Sequence, residues 1–75
     1  MVKTFTLVNA EVGRARDVYA KLKKIDAEVY PLFGEFDFLV IADAADLKSA
    51  ATKVLEEIQK VKGVARTRTL VGAEL

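Results

Sequence analysis

Alternation of apolar and polar positions divides the chain into six segments. The stretch from Val2 to Asn9 is rich in β-branched and aromatic residues and reads as a first strand. Gly13 interrupts this pattern. After it, Ala15, Val18, Tyr19, Leu22 and Ile25 recur at helical spacing, with Arg14, Arg16, Lys21, Lys23 and Lys24 on the other positions. Glu28 to Phe33 is extended again, and Gly34-Glu35 is placed as a tight turn into a third strand from Phe36 to Ala42, which makes an antiparallel hairpin. Asp46 suits the N-cap of a second helix whose apolar stripe is Leu47, Ala50, Ala51, Val54, Ile58 and Val61. Lys60 and Lys62 complement its C-terminal end, and Gly63 is placed as the left-handed residue that stops it. Val64 to Gly72 forms the last strand. Right-handed crossovers turn this β-α-β-β-α-β order into an antiparallel sheet of order 4-1-3-2 with both helices on one face, an α+β, ferredoxin-like fold. Pro31 provides an independent check, because proline within a strand requires an edge or a bulge, and the second strand is an edge in this order.

The third strand carries a further consequence. Phe36, Phe38, Val40 and Ala42 alternate onto one face, while Leu39 and Ile41 dominate the other. Two helices cover one face only, so the other needs a cover. A chain of 75 residues is a single domain (residues 1–75) that buries about 60% of its unfolded surface, which leaves a lone monomer marginal. With no cysteine in the sequence, disulfides cannot staple it. Association with further copies is the expected remedy.

The residue inventory narrows the chemistry. The absence of histidine removes imidazole metal ligands, the usual general base and the Ser-His and Cys-His nucleophile pairs. Ser49 is the one serine, and it falls on the second helix. No metal site, no cofactor and no enzymatic activity are expected. A net charge of +1 argues against a dedicated nucleic-acid binder. Phe5, Phe36 and Phe38 loosely match the stacking aromatics of an RNA-binding sheet, but Glu35 and Asp37 put negative charge beside them. No apolar run is long enough to cross a bilayer and the N-terminus has no secretory character, so the expected location is the cytoplasm.

The hairpin from Val29 to Leu39, with Gly34 and Asp37 three residues apart, resembles the Gly-x-[Tyr/Phe]-Asp hairpin of the Lrp/AsnC family's effector-binding domain, also called the RAM domain. Glu11-Val12-Gly13-Arg14 before the first helix agrees, as does the run Lys62-Gly63-Val64-Ala65-Arg66-Thr67-Arg68-Thr69 entering the last strand. The match spans essentially the whole chain. The family's regulators carry an N-terminal winged helix-turn-helix before this domain; here the chain starts at the first strand, so no DNA-binding domain and no direct DNA binding are expected. The resemblance implies dimers joined through their sheets, dimers assembled into rings, and an amino acid or similar small metabolite bound between dimers near the hairpin. It nominates Gly34, Glu35, Asp37, Thr67 and Thr69 as ligand-binding residues, with backbone N–H groups at Gly34 for a carboxylate and the Asp37 carboxylate for an ammonium group. The bland readings stand beside these: Gly34 as a turn glycine, Asp37 bonded to its own turn, and the threonines as ordinary strand formers. Two functions follow, an effector-sensing module in transcription regulation or amino-acid metabolism, and a ligand-free oligomerisation scaffold or partner of full-length Lrp/AsnC regulators. An ACT-type amino-acid-binding domain shares the strand order.

Overall fold

The computed structural model describes residues 2–49, 52 and 54–72. Strand β1 (Val2–Ala10) is followed by helix α1 (Ala15–Leu22), strands β2 (Glu28–Pro31) and β3 (Phe38–Ala44), the helical segments α2 (Leu47–Ser49) and α3 (Leu55–Gln59), and strand β4 (Val64–Val71). The sheet runs β2-β3-β1-β4, antiparallel throughout, which is the expected order read from the other edge. Pro31 lies on edge strand β2. Of the expected stripe on the second helix, Val54 and Ile58 are buried, whereas Ala50 and Ala51 lie outside the described residues.

The β1–β3 register explains the layers. Thr4, Thr6 and Val8 stand opposite Ala42, Val40 and Phe38, and all six are buried. Val18 and Leu22 of α1 and Val54 and Ile58 pack on them. The Tyr19 ring stacks on Phe38 with centroids 5.6 Å apart and planes 10° from parallel. Two threonines survive in this apolar layer because their hydroxyls are satisfied. Thr4 Oγ1 donates to the Ala42 carbonyl at 3.2 Å, and Thr6 and Thr69 share a hydroxyl–hydroxyl bond of 3.0 Å.

The alternate residues form the other face. Phe5 pairs with Ile41 and Leu70, and Leu7 pairs with Leu39 and Arg68. Phe5, Leu7, Leu39 and Ile41 are only half-buried, and Leu70 and Tyr30 are exposed. A Lys3–Asp43 ion pair of 3.6 Å marks one end of this patch. Phe5 therefore lies on the open face while Phe38 is buried under Tyr19, so these rings cannot form one stacking platform for bases.

Three local details differ from the sequence expectation. The β2–β3 connection is a six-residue loop, residues 32–37, rather than a two-residue turn, and a bond from Leu32 N–H to the Asp37 carbonyl (2.8 Å) closes it. Phe36 consequently belongs to the loop and not to the Phe38 face of the strand. Gly63 has the expected positive φ (+101°) but does not stop the helix, whose C-cap is Lys60. It is the third residue of a turn closed by Val64 N–H to Val61 carbonyl (3.3 Å), a position that favours glycine. A methyl there would stand 3.0 Å from Val18 Cγ2 and 3.1 Å from Arg14 Cβ. Asp46, by contrast, acts as expected: its Oδ1 accepts the Ser49 N–H at 2.7 Å, and this bond holds the carboxyl below its ordinary pKa.

Two outcomes follow for stability. Gly63→Ala adds a clash to a backbone cost of order 1–3 kcal/mol. At Gly34, φ +129°, a methyl would meet nothing within 4 Å, so alanine there incurs the backbone cost alone. Thermal denaturation should show the larger loss for Gly63→Ala, at roughly 4–8 °C per kcal/mol; equal losses would contradict the packing at Gly63. The Asp46 contribution is present above the unfolded carboxyl pKa and disappears as pH falls through the lower folded value. Melting curves of wild type and Asp46→Ala should thus differ at neutral pH and converge in acid; a gap that persists at low pH would exclude the charged cap.

Candidate functional site

Gly34, Glu35 and Asp37, three of the residues nominated from the sequence, fall at one end of the sheet, where β1 finishes, β3 begins and β4 begins. The chain there is irregular on both sides. The β1–β4 pairing shifts register between Asn9 and Ala10, a bulge that frees the Ala10 N–H from the ladder. Asp37 takes it up: Asp37 Oδ2 accepts from Ala10 N–H at 2.8 Å, while the Asp37 N–H donates to the Val8 carbonyl at 2.9 Å. One residue thereby ties the end of the loop to the end of β1 through both its backbone and its carboxylate. Asp37 bonds its surroundings, as in the bland reading, and what remains for a ligand is the rest of its half-buried carboxylate.

The middle of the loop is held differently. With its amide oriented to satisfy both neighbours, Asn9 donates to the Glu35 carbonyl at 2.9 Å and accepts from Arg66 Nη2 at 3.0 Å. The Arg66 guanidinium in turn lies over the Phe36 ring, 5.4 Å from its centroid. Glu35 thus contributes its backbone carbonyl to this network. Gly34, at the loop tip, is exposed, with open space where a side chain would stand. Phe33 beside it and Val12 in the β1–α1 connection are fully exposed apolar side chains at this same end.

Thr67 and Thr69 stand opposite Val8 and Thr6 on β4, on the helix-covered side of the sheet. β1 separates them from β3, so about two strand spacings, near 10 Å, lie between them and the loop's root. The Thr69 hydroxyl is already bonded to Thr6. Within one protomer, then, Gly34, Glu35 and Asp37 form one group and the two threonines another. Asn9 and Arg66, which join the loop to β4, were not singled out as site residues from sequence. Arg66 stood in a strand of alternating arginines and threonines, and nothing but the bulge reveals what Asn9 does.

Two grooves of about 330 Å³ each lie at the opposite end. Asp26 and Asp43 line both, and neither groove includes a residue of the 32–37 loop. Among the described residues no three Asp or Glu side chains are arranged to hold a metal ion, and no helix is long and apolar enough to cross a membrane.

No curated protein sequence matches the chain. Among solved structures, FFRP-DM1 superposes with a TM-score of 0.87 at 29% identity, covering 97% of this chain and 100% of that one. PHS023 from Pyrococcus horikoshii gives 0.84 at 27% identity, covering 100% and 93% respectively. The transcriptional regulator NMB0573 from Neisseria meningitidis, solved as an L-Met complex, shares the fold with a TM-score of 0.83 at 22% identity; 97% of this chain covers 50% of that one. The family model of the Lrp/AsnC ligand binding domain matches residues 3–73. With nearly every residue matched and the strand order of that fold in place, the chain belongs to the Lrp/AsnC ligand-binding domain family.

Proposed function

We propose that this chain is an effector-sensing module of the cytoplasm, binding an amino acid or a similar small metabolite where the Gly34–Asp37 loop of one dimer meets a neighbouring subunit. The observation that carries the reading is the loop itself. Its flanks are tied to β1 through Asp37 and Asn9, while its tip presents backbone with open space around it. A loop fixed in advance loses little entropy when a ligand arrives. Neither groove of the isolated chain reaches this loop, so the ligand would be enclosed only when a second surface closes over it. That second surface supplies the route by which Thr67 and Thr69 of a neighbouring copy join the site. The L-methionine bound by the Neisseria regulator supports an amino acid as the ligand class.

Assembly has its own physical support. The apolar open face of Phe5, Leu7, Leu39, Ile41 and Leu70 supports an interface on the sheet, and exposed Phe33 and Val12 offer a second contact at the loop end. Ligand binding there would bias assembly, or a full-length regulator partner, by its differential affinity for the assembled state. The same open face equally supports a second reading, an oligomerisation scaffold without its own ligand.

Light scattering at micromolar concentration should give a multiple of 8.2 kDa; a folded monomer would refute the assembly. A thermal-shift screen of the standard L-amino acids separates sensor from scaffold. A ligand at a hundred times its dissociation constant stabilises by about 2.7 kcal/mol per site, and a flat screen favours the scaffold. Asp37 needs two variants, because its carboxylate also caps the bulge. Asp37→Ala strands the Ala10 N–H and should cost about 1–3 kcal/mol of stability, while Asp37→Asn keeps an acceptor and should spare the fold while weakening an ammonium-bearing ligand. If Asp37→Asn binds such a ligand as wild type does, the ammonium contact lies elsewhere.

A further inference from the structure

Arg66 is placed as an anion receptor would be. It stands opposite Asn9 in the sheet register, at the border between the open face and the loop end. Two contacts hold its head group: Nη2 donates to the Asn9 amide oxygen at 3.0 Å, and the guanidinium carbon lies over the Phe36 ring, 5.4 Å from its centroid. The bond to Asn9 uses one of five N–H donors, which leaves others for an anion. Arg66 is exposed, and among the described residues the ion pairs are Lys3–Asp43 and Arg14–Asp17, neither of which involves it. Phe36, over which it lies, precedes Asp37 in the loop, whose carboxylate is held by the Ala10 N–H, and follows Gly34 by two residues, where the backbone has open space around it.

We propose that Arg66 is a specificity-determining residue of the effector site, receiving the ligand's carboxylate, and that Asn9 is the residue that positions it. This rests on the effector-sensing reading and deepens it. Arg66 adds a full positive charge to the polarity that the Gly34 backbone and Asp37 already offer. A zwitterion aligned along Phe36 puts its carboxylate on the Arg66 fork and its ammonium toward Asp37. Amines without a carboxylate, and α-amides, meet the fork with nothing to neutralise it. Asn9 serves both halves, because the same amide that orients Arg66 also holds the Glu35 carbonyl and therefore the loop.

The test is calorimetric titration of wild type, Arg66→Met, Arg66→Lys and Asn9→Ala with the standard L-amino acids, and with the α-amide of whichever one binds. An exposed arginine leaves the core intact when replaced, and a wild-type-like amide spectrum and melting temperature check that. Arg66→Met should weaken the amino acid on the order of 10- to 100-fold. Arg66→Lys should restore only part of this, because a point charge replaces the planar fork. The decisive comparison uses the α-amide: it should bind wild type far more weakly than the acid, yet bind Arg66→Met no more weakly than the acid does, since the partner of the carboxylate is already gone. Asn9→Ala should weaken binding with the charge still present. Full affinity in Arg66→Met, or an acid-over-amide preference that survives the substitution, would overturn the assignment while leaving the effector reading in place. Failure of every amino acid to bind wild type would instead overturn the effector reading, and the role of Arg66 with it.

Discussion

A four-stranded sheet has two faces, and this chain has helices for one. Everything else in the molecule follows from how the second face is left. On the covered side, apolar side chains from β1 and β3 interlock with Val18, Leu22 and Ile58, and the two threonines buried there are hydrogen-bonded, so that layer is complete within the protomer. On the open side, Phe5, Leu7, Leu39 and Ile41 are as apolar as a core and only half-buried. Hydrophobic burial is the dominant favourable term in so small a domain. A central strand pair apolar on both sides is therefore the physical basis of the proposed association, which would complete the burial that folding leaves unfinished.

The same central strands position the site. β1 ends in a bulge, and the loop before β3 is fastened to that bulge by the Asp37 carboxylate. Asn9, one residue earlier, fastens the loop's middle and reaches Arg66 on β4. The loop is thus an extension of the sheet's end, held by three strands, with only its tip free. Such a loop is rigid where it meets its own fold and open where it meets anything else, as preorganised recognition requires. It also borders the open face, because Asn9 and Arg66 share the side of the sheet that carries Leu7 and Arg68. A ligand at the loop and a subunit on the sheet would touch the same pair of residues.

Much of this was legible in the sequence because it depended on periodicity or on single residues with strict geometry. The β-α-β-β-α-β order came from alternation, the edge position of β2 from Pro31, and the start of the second helical region from Asp46. What escaped depended on contacts between distant segments. Phe33 and Phe36 are strong strand formers, so the sequence shortens the hairpin to two residues; the loop spans six because Asp37 is committed to Ala10 and Leu32 closes onto the Asp37 carbonyl. Gly63 looked like a helix stop and instead turns the chain tightly against Val18 and Arg14. Asn9 carried no signal, since its role exists only once a bulge turns it toward Glu35 and Arg66. Family resemblance leads one to expect Thr67 and Thr69 beside the loop, but β1 stands between them and it in the single chain.

The dependence of the molecule on its open face is best tested by isotope-filtered NOE spectroscopy on a mixture of labelled and unlabelled protein. The account predicts intermolecular NOEs to Phe5, Leu7, Leu39 and Ile41, and none to Val18 or Leu22, which the protomer buries by itself. A folded protein whose Leu39 and Ile41 methyl groups show contacts to water alone would contradict it.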